Sequence, residues 1–229
     1  MPVPKRLNQQ FFSTWSPSMV YVLGYFAADG SMILNKRVAR FIEFTSIDRD
    51  LLERVSHVVG SNHKIQIRKK RREAWNTQYR LQIGSKAWFE DLSRLGFTQG
   101  KSTSLMLPNI PKKHIPDFVR GYFDGDGCVY FNKELHFASR KKPRAILSTL
   151  FTSGSKPFLE SLWKQLKDHD VLGGSLQKKQ RGFEPRFSHK DSVALHRMMY
   201  HTDQASELSL PRKRLKLTMA IRDLEKMRE

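Results

Sequence analysis

The sequence predicts an α+β protein made by duplication, the series αββαββα run twice, with two antiparallel β-sheets. Three observations predict it. The stretch Tyr21-Val22-Leu23-Gly24-Tyr25-Phe26-Ala27-Ala28-Asp29-Gly30 recurs as Phe118-Val119-Arg120-Gly121-Tyr122-Phe123-Asp124-Gly125-Asp126-Gly127, 97 positions on and identical at six of the ten positions. The same succession of seven elements follows the start of each copy, which makes the duplication specific. Between the halves runs Gly96 to Pro116, where Pro108, Pro111 and Pro116 suit a stiff linker. The organisation expected is therefore a basic lead-in over 1–15, a first repeat over 16–99, a linker over 100–116, a second repeat over 117–210 and a basic terminal helix over 211–229.

Each decapeptide reads as a helix that stops at an acid followed by glycine. Ser16 and Pro17 open the first helix, a capping hydroxyl and then a proline at the first helical position. Gly24 and Ala28, like Gly121 and Gly125, are four apart and share a helix face. Small residues there let two helices approach backbone to backbone, with Asp29 and Asp126 side by side at their ends. Gly30 and Gly127 are expected to supply a left-handed cap. A carboxylate at a helix C-terminus faces partial negative charge. Two such carboxylates make sense if divalent cations sit between them on hard oxygen ligands.

After Gly30 the chain turns extended, and 38–46 is rich in β-branched and aromatic residues. From Asp48 to Gly60 the residues Leu51, Leu52, Val55, Val58 and Val59 make one apolar stripe of a helix. Two strands follow, 63–70 and 78–83. Ile65, Ile67, Tyr79, Leu81 and Ile83 alternate with Gln66, Arg68, Gln78, Arg80 and Gln82, so one face is core and the other basic and amide-rich. Lys69, Lys70, Arg71 and Arg72 lie between them as a hairpin tip. Ser85 then caps a helix through Trp88, Leu92 and Leu95 that ends at Gly96.

The second half repeats this order. Helix 117–126 is followed by strands near 128–137 and 144–152, a helix over 156–168, strands near 175–180 and 183–189, and a helix from Asp191. Phe151-Thr152-Ser153 echoes Phe44-Thr45-Ser46. After these, Leu217, Ile221 and Leu224 suggest a terminal amphipathic helix with a basic side.

The charge narrows the partner. Lys and Arg number 41 against 22 Asp and Glu, a net charge of +19 in 229 residues, which points to a polyanion and to nucleic acid before membrane. No apolar run approaches the ~18 residues that span a bilayer, and no signal peptide is visible. Cys128 is the single cysteine, so an internal disulfide and a cysteine-based zinc cluster are both excluded. That suits a reducing compartment.

The two decapeptides resemble the signature of the LAGLIDADG homing endonucleases in their single-chain, two-motif form, mapped onto Val22 to Gly30 and Val119 to Gly127. The resemblance implies motif helices packed at the centre of a pseudo-two-fold molecule whose two sheets form saddles. It also implies metal-binding catalytic aspartates at Asp29 and Asp126, with the carbonyls of Ala28 and Gly125 facing metal. A basic residue points into each active site of that family, for which Lys101 and Lys213 are the candidates, Arg212 and Arg214 being close rivals of the latter. Ala27 departs from the pattern, standing where the second copy has Asp124.

The implied activity is metal-dependent cleavage of double-stranded DNA at a long, non-palindromic target. Mg2+ is the expected cofactor, with Mn2+ or Ca2+ able to substitute for binding. The chain is expected to act as a monomer. The reading surface expected in the first half comprises Gln66, Arg68, Gln78, Arg80 and Gln82, with Lys70, Arg71 and Arg72 at phosphates. In the second half it comprises Gln177, Lys179, Arg181 and Arg186. Met1-Pro2 and Arg228-Glu229 do not look like intein splice termini. The expectation is an intron-encoded enzyme in an intracellular compartment that holds DNA, a prokaryotic cytoplasm or an organelle matrix. Two other readings use the same fold: a maturase that binds intron RNA, and a DNA-binding protein that does not cleave.

Overall fold

The computed structural model describes residues 5–68, 76–136, 144–203 and 208–227. The chain forms two compact units, Met1–Gly125 and Asp126–Glu229.

The first unit begins with a 3-10 turn, Phe11–Ser13, and then α1, Pro17–Asp29. Ser16 caps α1 by accepting from the Met19 amide at 3.1 Å. Strands β1 (Gly30–Leu34) and β2 (Arg40–Ser46), helix α2 (Arg49–Val58), strands β3 (Ile65–Arg68) and β4 (Gln78–Gly84) and helix α3 (Lys86–Arg94) follow. The strands make an antiparallel sheet in the order β1-β2-β4-β3. One face of it is covered by helices, around Ile42, Phe44, Leu81 and Ile83, all fully buried with Leu51, Leu52, Val55 and Leu92. Phe26 of α1 meets Phe44 and Phe97 edge-on at 5.6 and 5.2 Å. The lead-in joins this core. Phe11 and Phe12 are buried against Trp88, whose Nε1 donates to the Asn8 carbonyl at 2.8 Å.

Helix α4, Ile115–Asp126, runs from the first unit into the second. It starts two residues before the expected 117 because Pro116 fits the first turn, where no amide is needed. The second unit continues with β5 (Gly127–Leu135), β6 (Arg144–Phe151), α5 (Lys156–Leu166), β7 (Ser175–Lys179), β8 (Gly182–Phe187), α6 (His189–Met199) and α7 (Pro211–Lys226). Its sheet order, β5-β6-β8-β7, is that of the first unit. The registers agree too. Gly30 pairs with Phe44 and Gly127 with Phe151, so the two Phe-Thr-Ser segments hold the same place. Phe151, Phe187, Leu159, Leu162 and Leu195 fill this core, and Trp163 stands edge-on to Phe187 while its Nε1 donates to the Gly173 carbonyl. The buried side of α7, Leu217, Ala220 and Leu224, packs toward β5, where Lys133 pairs with Asp223 at 2.8 Å. The α+β duplication and the two antiparallel sheets are thus as the sequence implied.

Two local expectations change, the caps at the motif glycines and the burial of Ile67. Gly30 is extended, φ −91° and ψ 159°, and no positive φ occurs at Gly127. Both helices pass straight into a strand, so no left-handed cap forms. Gly30 is required instead by close approach, since a Cβ there would lie 2.0 Å from the Phe26 ring. The extended stretch after Gly30 is, as expected, two paired strands, turned at Val38 with φ 60°. Ile67, expected in the core, is 69% exposed because β3 is an edge strand that outruns the covering helices. We therefore expect Leu81→Ala to cost about 2–5 kcal/mol and Ile67→Ala under about 0.5 kcal/mol. Urea melts of the two variants check this, and equal costs would contradict the burial.

Candidate nucleic-acid interface and hydrolytic centre

Helices α1 and α4 cross on their glycines. A Cβ at Gly24 would lie 2.1 Å from the Phe118 carbonyl oxygen, and one at Gly121 would lie 2.0 Å from the Tyr21 carbonyl oxygen. One at Gly125 would meet the Ala28 methyl at 2.4 Å and Asp29 Oδ2 at 3.1 Å. The small-residue face therefore brings backbone to backbone, and it leaves the Asp29 carboxylate beside a residue that has no side chain.

Polar contacts surround the crossing. The Tyr21 hydroxyl donates to Asp124 Oδ2 at 2.7 Å, with both residues buried. Burial first, and then the Asp124 carboxylate, push the Tyr21 phenol well above its usual range, so it remains a donor. Arg120, also buried, pairs with Asp117 at 2.9 Å and lies over the Tyr21 ring at 5.2 Å. On the sheet side, the Tyr25 hydroxyl donates to the Thr45 carbonyl at 2.8 Å, and Thr45 Oγ1 donates to the Asp29 carbonyl at 3.3 Å. The Tyr25 phenol is likewise held well above its usual range, by burial and then by the Asp29 charge.

Asp29 and Asp126 are the last residues of α1 and α4, and both are half-buried. In the second unit the Asp126 carbonyl accepts from the Thr152 amide at 3.2 Å. Lys101 is 7% exposed, and its ammonium donates to the Ala27 carbonyl at 2.7 Å, with the Ala28 carbonyl at 3.4 Å. It caps the helix that ends in Asp29, offsetting the negative end of the dipole.

Lys213 is placed differently. It lies in the first turn of α7, half-exposed, whereas Lys101 precedes a turn closed by the Leu105 amide on its own carbonyl at 2.8 Å. Leu105-Met106-Leu107-Pro108 matches Leu208-Ser209-Leu210-Pro211, a sequence register in which Gln204, outside the described residues, aligns with Lys101.

The donors present suit a hard divalent cation: carboxylate and carbonyl oxygens at a helix end. The Ala28 carbonyl has two lone pairs, so accepting from Lys101 at 3.4 Å leaves one available. Among the described residues no group of three His, Cys, Asp or Glu could hold a metal.

On the first sheet, the register sets Gln66 opposite Arg80, Arg68 opposite Gln78 and Glu43 opposite Gln82, all on the face away from Leu81 and Ile83. Gln66, Arg68 and Gln78 are exposed, and Arg80 and Gln82 half-buried. Arg80 donates to Gln66 Oε1 at 2.5 Å and pairs with Glu43 at 3.6 Å. Glu43 was missed, since its place between these groups depends on β2 and β4 being neighbours. Lys70, Arg71 and Arg72 lie outside the described residues.

On the second sheet, Gln177, Lys179, Glu184 and Arg186 share a face, and Arg181 is in the β7–β8 turn. Lys179 pairs with Glu184 at 2.9 Å. Arg186 lies 6.0 Å from the ring of Tyr130, an exposed aromatic that alternation in 128–137 could have flagged.

Residues 16–95, which hold the first decapeptide, match the model of the LAGLIDADG-like domain, and the chain shares its two-sheet fold with solved LAGLIDADG meganucleases, in keeping with the resemblance of the decapeptides. One solved structure with this fold is the LAGLIDADG meganuclease I-AabMI bound to uncleaved DNA. It is 16% identical with a TM-score of 0.62, over 93% of this chain and 92% of that one. The homing endonuclease I-WcaI bound to its DNA recognition sequence is 16% identical with a TM-score of 0.58, over 91% of each chain. Full-length DUF199/WhiA from Thermatoga maritima is 14% identical with a TM-score of 0.53, over 88% of this chain and 62% of that one. Among curated proteins none matches by sequence. No helix among the described residues is long and apolar enough to cross a membrane.

Proposed function

We propose that the protein is a site-specific double-strand DNA endonuclease. The observation that carries this reading is the acid kept at the end of both motif helices, Asp29 and Asp126, on a duplicated fold whose sheets each bear a polar, basic face. A DNA-binding protein without hydrolytic function has no use for a carboxylate at a helix C-terminus, and nothing in the site favours intron RNA over duplex DNA. Asp29 with the Ala28 carbonyl, and Asp126 with the Gly125 carbonyl, would hold divalent cations, Mg2+ first. Such a cation, when bound, lowers the pKa of an attacking water and offsets charge on the phosphate. A structure of I-SmaMI, another protein of this fold, was obtained on an uncleaved DNA target in the presence of calcium ions.

Lys101 holds the end of α1 in place and supplies a positive charge for the scissile phosphate. The sheets read bases in the major groove, arginine toward guanine and glutamine toward adenine. Because the two faces differ residue by residue, the target is long and not a strict palindrome. An intron-encoded origin and action as a monomer belong to this reading.

The test is binding to duplex DNA. Affinity should fall by about a thousandfold or more between roughly 50 and 200 mM salt. Arg80→Ala should cost about 1–3 kcal/mol and relax base preference within one half-site. Salt-independent binding, or a mutant with unchanged preference at every position, would overturn the assignment of partner or of reading face.

A further inference from the structure

The α1–α4 crossing is nearly symmetric in backbone and asymmetric in chemistry. Gly24 meets the Phe118 carbonyl as Gly121 meets the Tyr21 carbonyl. Tyr21 and Phe118 are the first residues of the two decapeptides, and Ala27 and Asp124 the seventh. The hydrogen bond across the helices joins the first residue of one copy to the seventh of the other, Tyr21 to Asp124 at 2.7 Å. The mirror pair is Phe118 with Ala27, both apolar and both buried.

We propose that Tyr21 and Asp124 form a pairing code that commits each motif helix to the other copy and rejects a second copy of its own kind. Two α1 helices would set two Tyr21 hydroxyls against two Ala27 methyls, leaving buried donors without the carboxylate. Two α4 helices would set two Asp124 carboxylates against Phe118 rings, which cannot supply the hydrogen bond that Tyr21 donates. Only the mixed pair matches polar with polar and apolar with apolar.

A duplicated chain needs such a code. Both helices carry the same small-residue face, so like halves of two chains are otherwise complementary and would join isologously. The hazard is greatest during synthesis, when the first half is complete before α4 emerges.

The experiment uses the full-length chain with Tyr21→Phe, Asp124→Ala and both together. Tyr21→Phe should lower the thermal midpoint by about 4–10 °C. The double variant, which recreates the Phe118 and Ala27 pair, should recover most of that loss. Refolded from urea at high concentration, the wild-type chain should return as a monomer and the double variant should yield dimers and larger species by light scattering. A double variant no more stable than Tyr21→Phe would overturn the coupling. One that refolds wholly to monomer would overturn the pairing code. Should Tyr21→Phe fail to fold, the mass of the refolded double variant decides alone.

Discussion

Asp29→Asn or Asp126→Asn is expected to abolish double-strand cleavage while leaving DNA affinity within about tenfold, roughly 1.4 kcal/mol. The substitution keeps size and one oxygen but removes the charge a divalent cation needs. Neither acid lies on the sheet faces that carry the reading groups, so binding has no reason to fail. Stability should hold as well, because losing an anion at a helix C-terminus relieves a repulsion worth about 0.3–1 kcal/mol. A supercoiled plasmid bearing the target gives the readout: each variant yields at most nicked circles. Linear product from Asp126→Asn in Mg2+ would remove that residue from the chemistry.

Gly24→Ala and Gly121→Ala should be the most damaging small substitutions for the fold. The new methyl at each would stand about half a normal contact distance from a backbone carbonyl, at 2.1 and 2.0 Å, where no side chain can turn aside. The helices must part, disturbing the buried Tyr21 and Asp124 contact and the approach of Gly125 to Asp29. Overpacking of this kind costs about 3 kcal/mol or more. Gly84→Ala is the control, since its methyl would meet the Phe41 ring at an ordinary 3.5 Å. Urea midpoints should fall for the first two and barely move for the third. A Gly121→Ala protein that melts with the parent would mean that the helices do not cross as described.

The motif helices were legible because two copies of one pattern, small residues four apart and an acid before glycine, constrain each other. The caps were legible from Ser16 and Ser85, whose hydroxyls do accept from Met19 and Trp88. The conformation of Gly30 was not, because Asp-Gly fits both a left-handed cap and a helix that runs directly into a strand. Only the ring of Phe26, brought close by tertiary packing, decides between them. Ile67 shows the limit of alternation: the period assigns a face, but not how far along that face the covering helices reach. The partnership of Glu43 with Arg80 and Gln82 joins strands far apart in sequence, and no local pattern announces it.

The most direct test is to incubate the purified protein with a plasmid library of randomised duplex inserts in Mg2+ and to sequence the linearised products. The account predicts double-strand breaks at one family of long, asymmetric sites, with short staggered ends and no breaks when the divalent cation is chelated. Tight, salt-sensitive retention of DNA with no linear product would contradict it, leaving a protein that binds through the same sheets and does not cut.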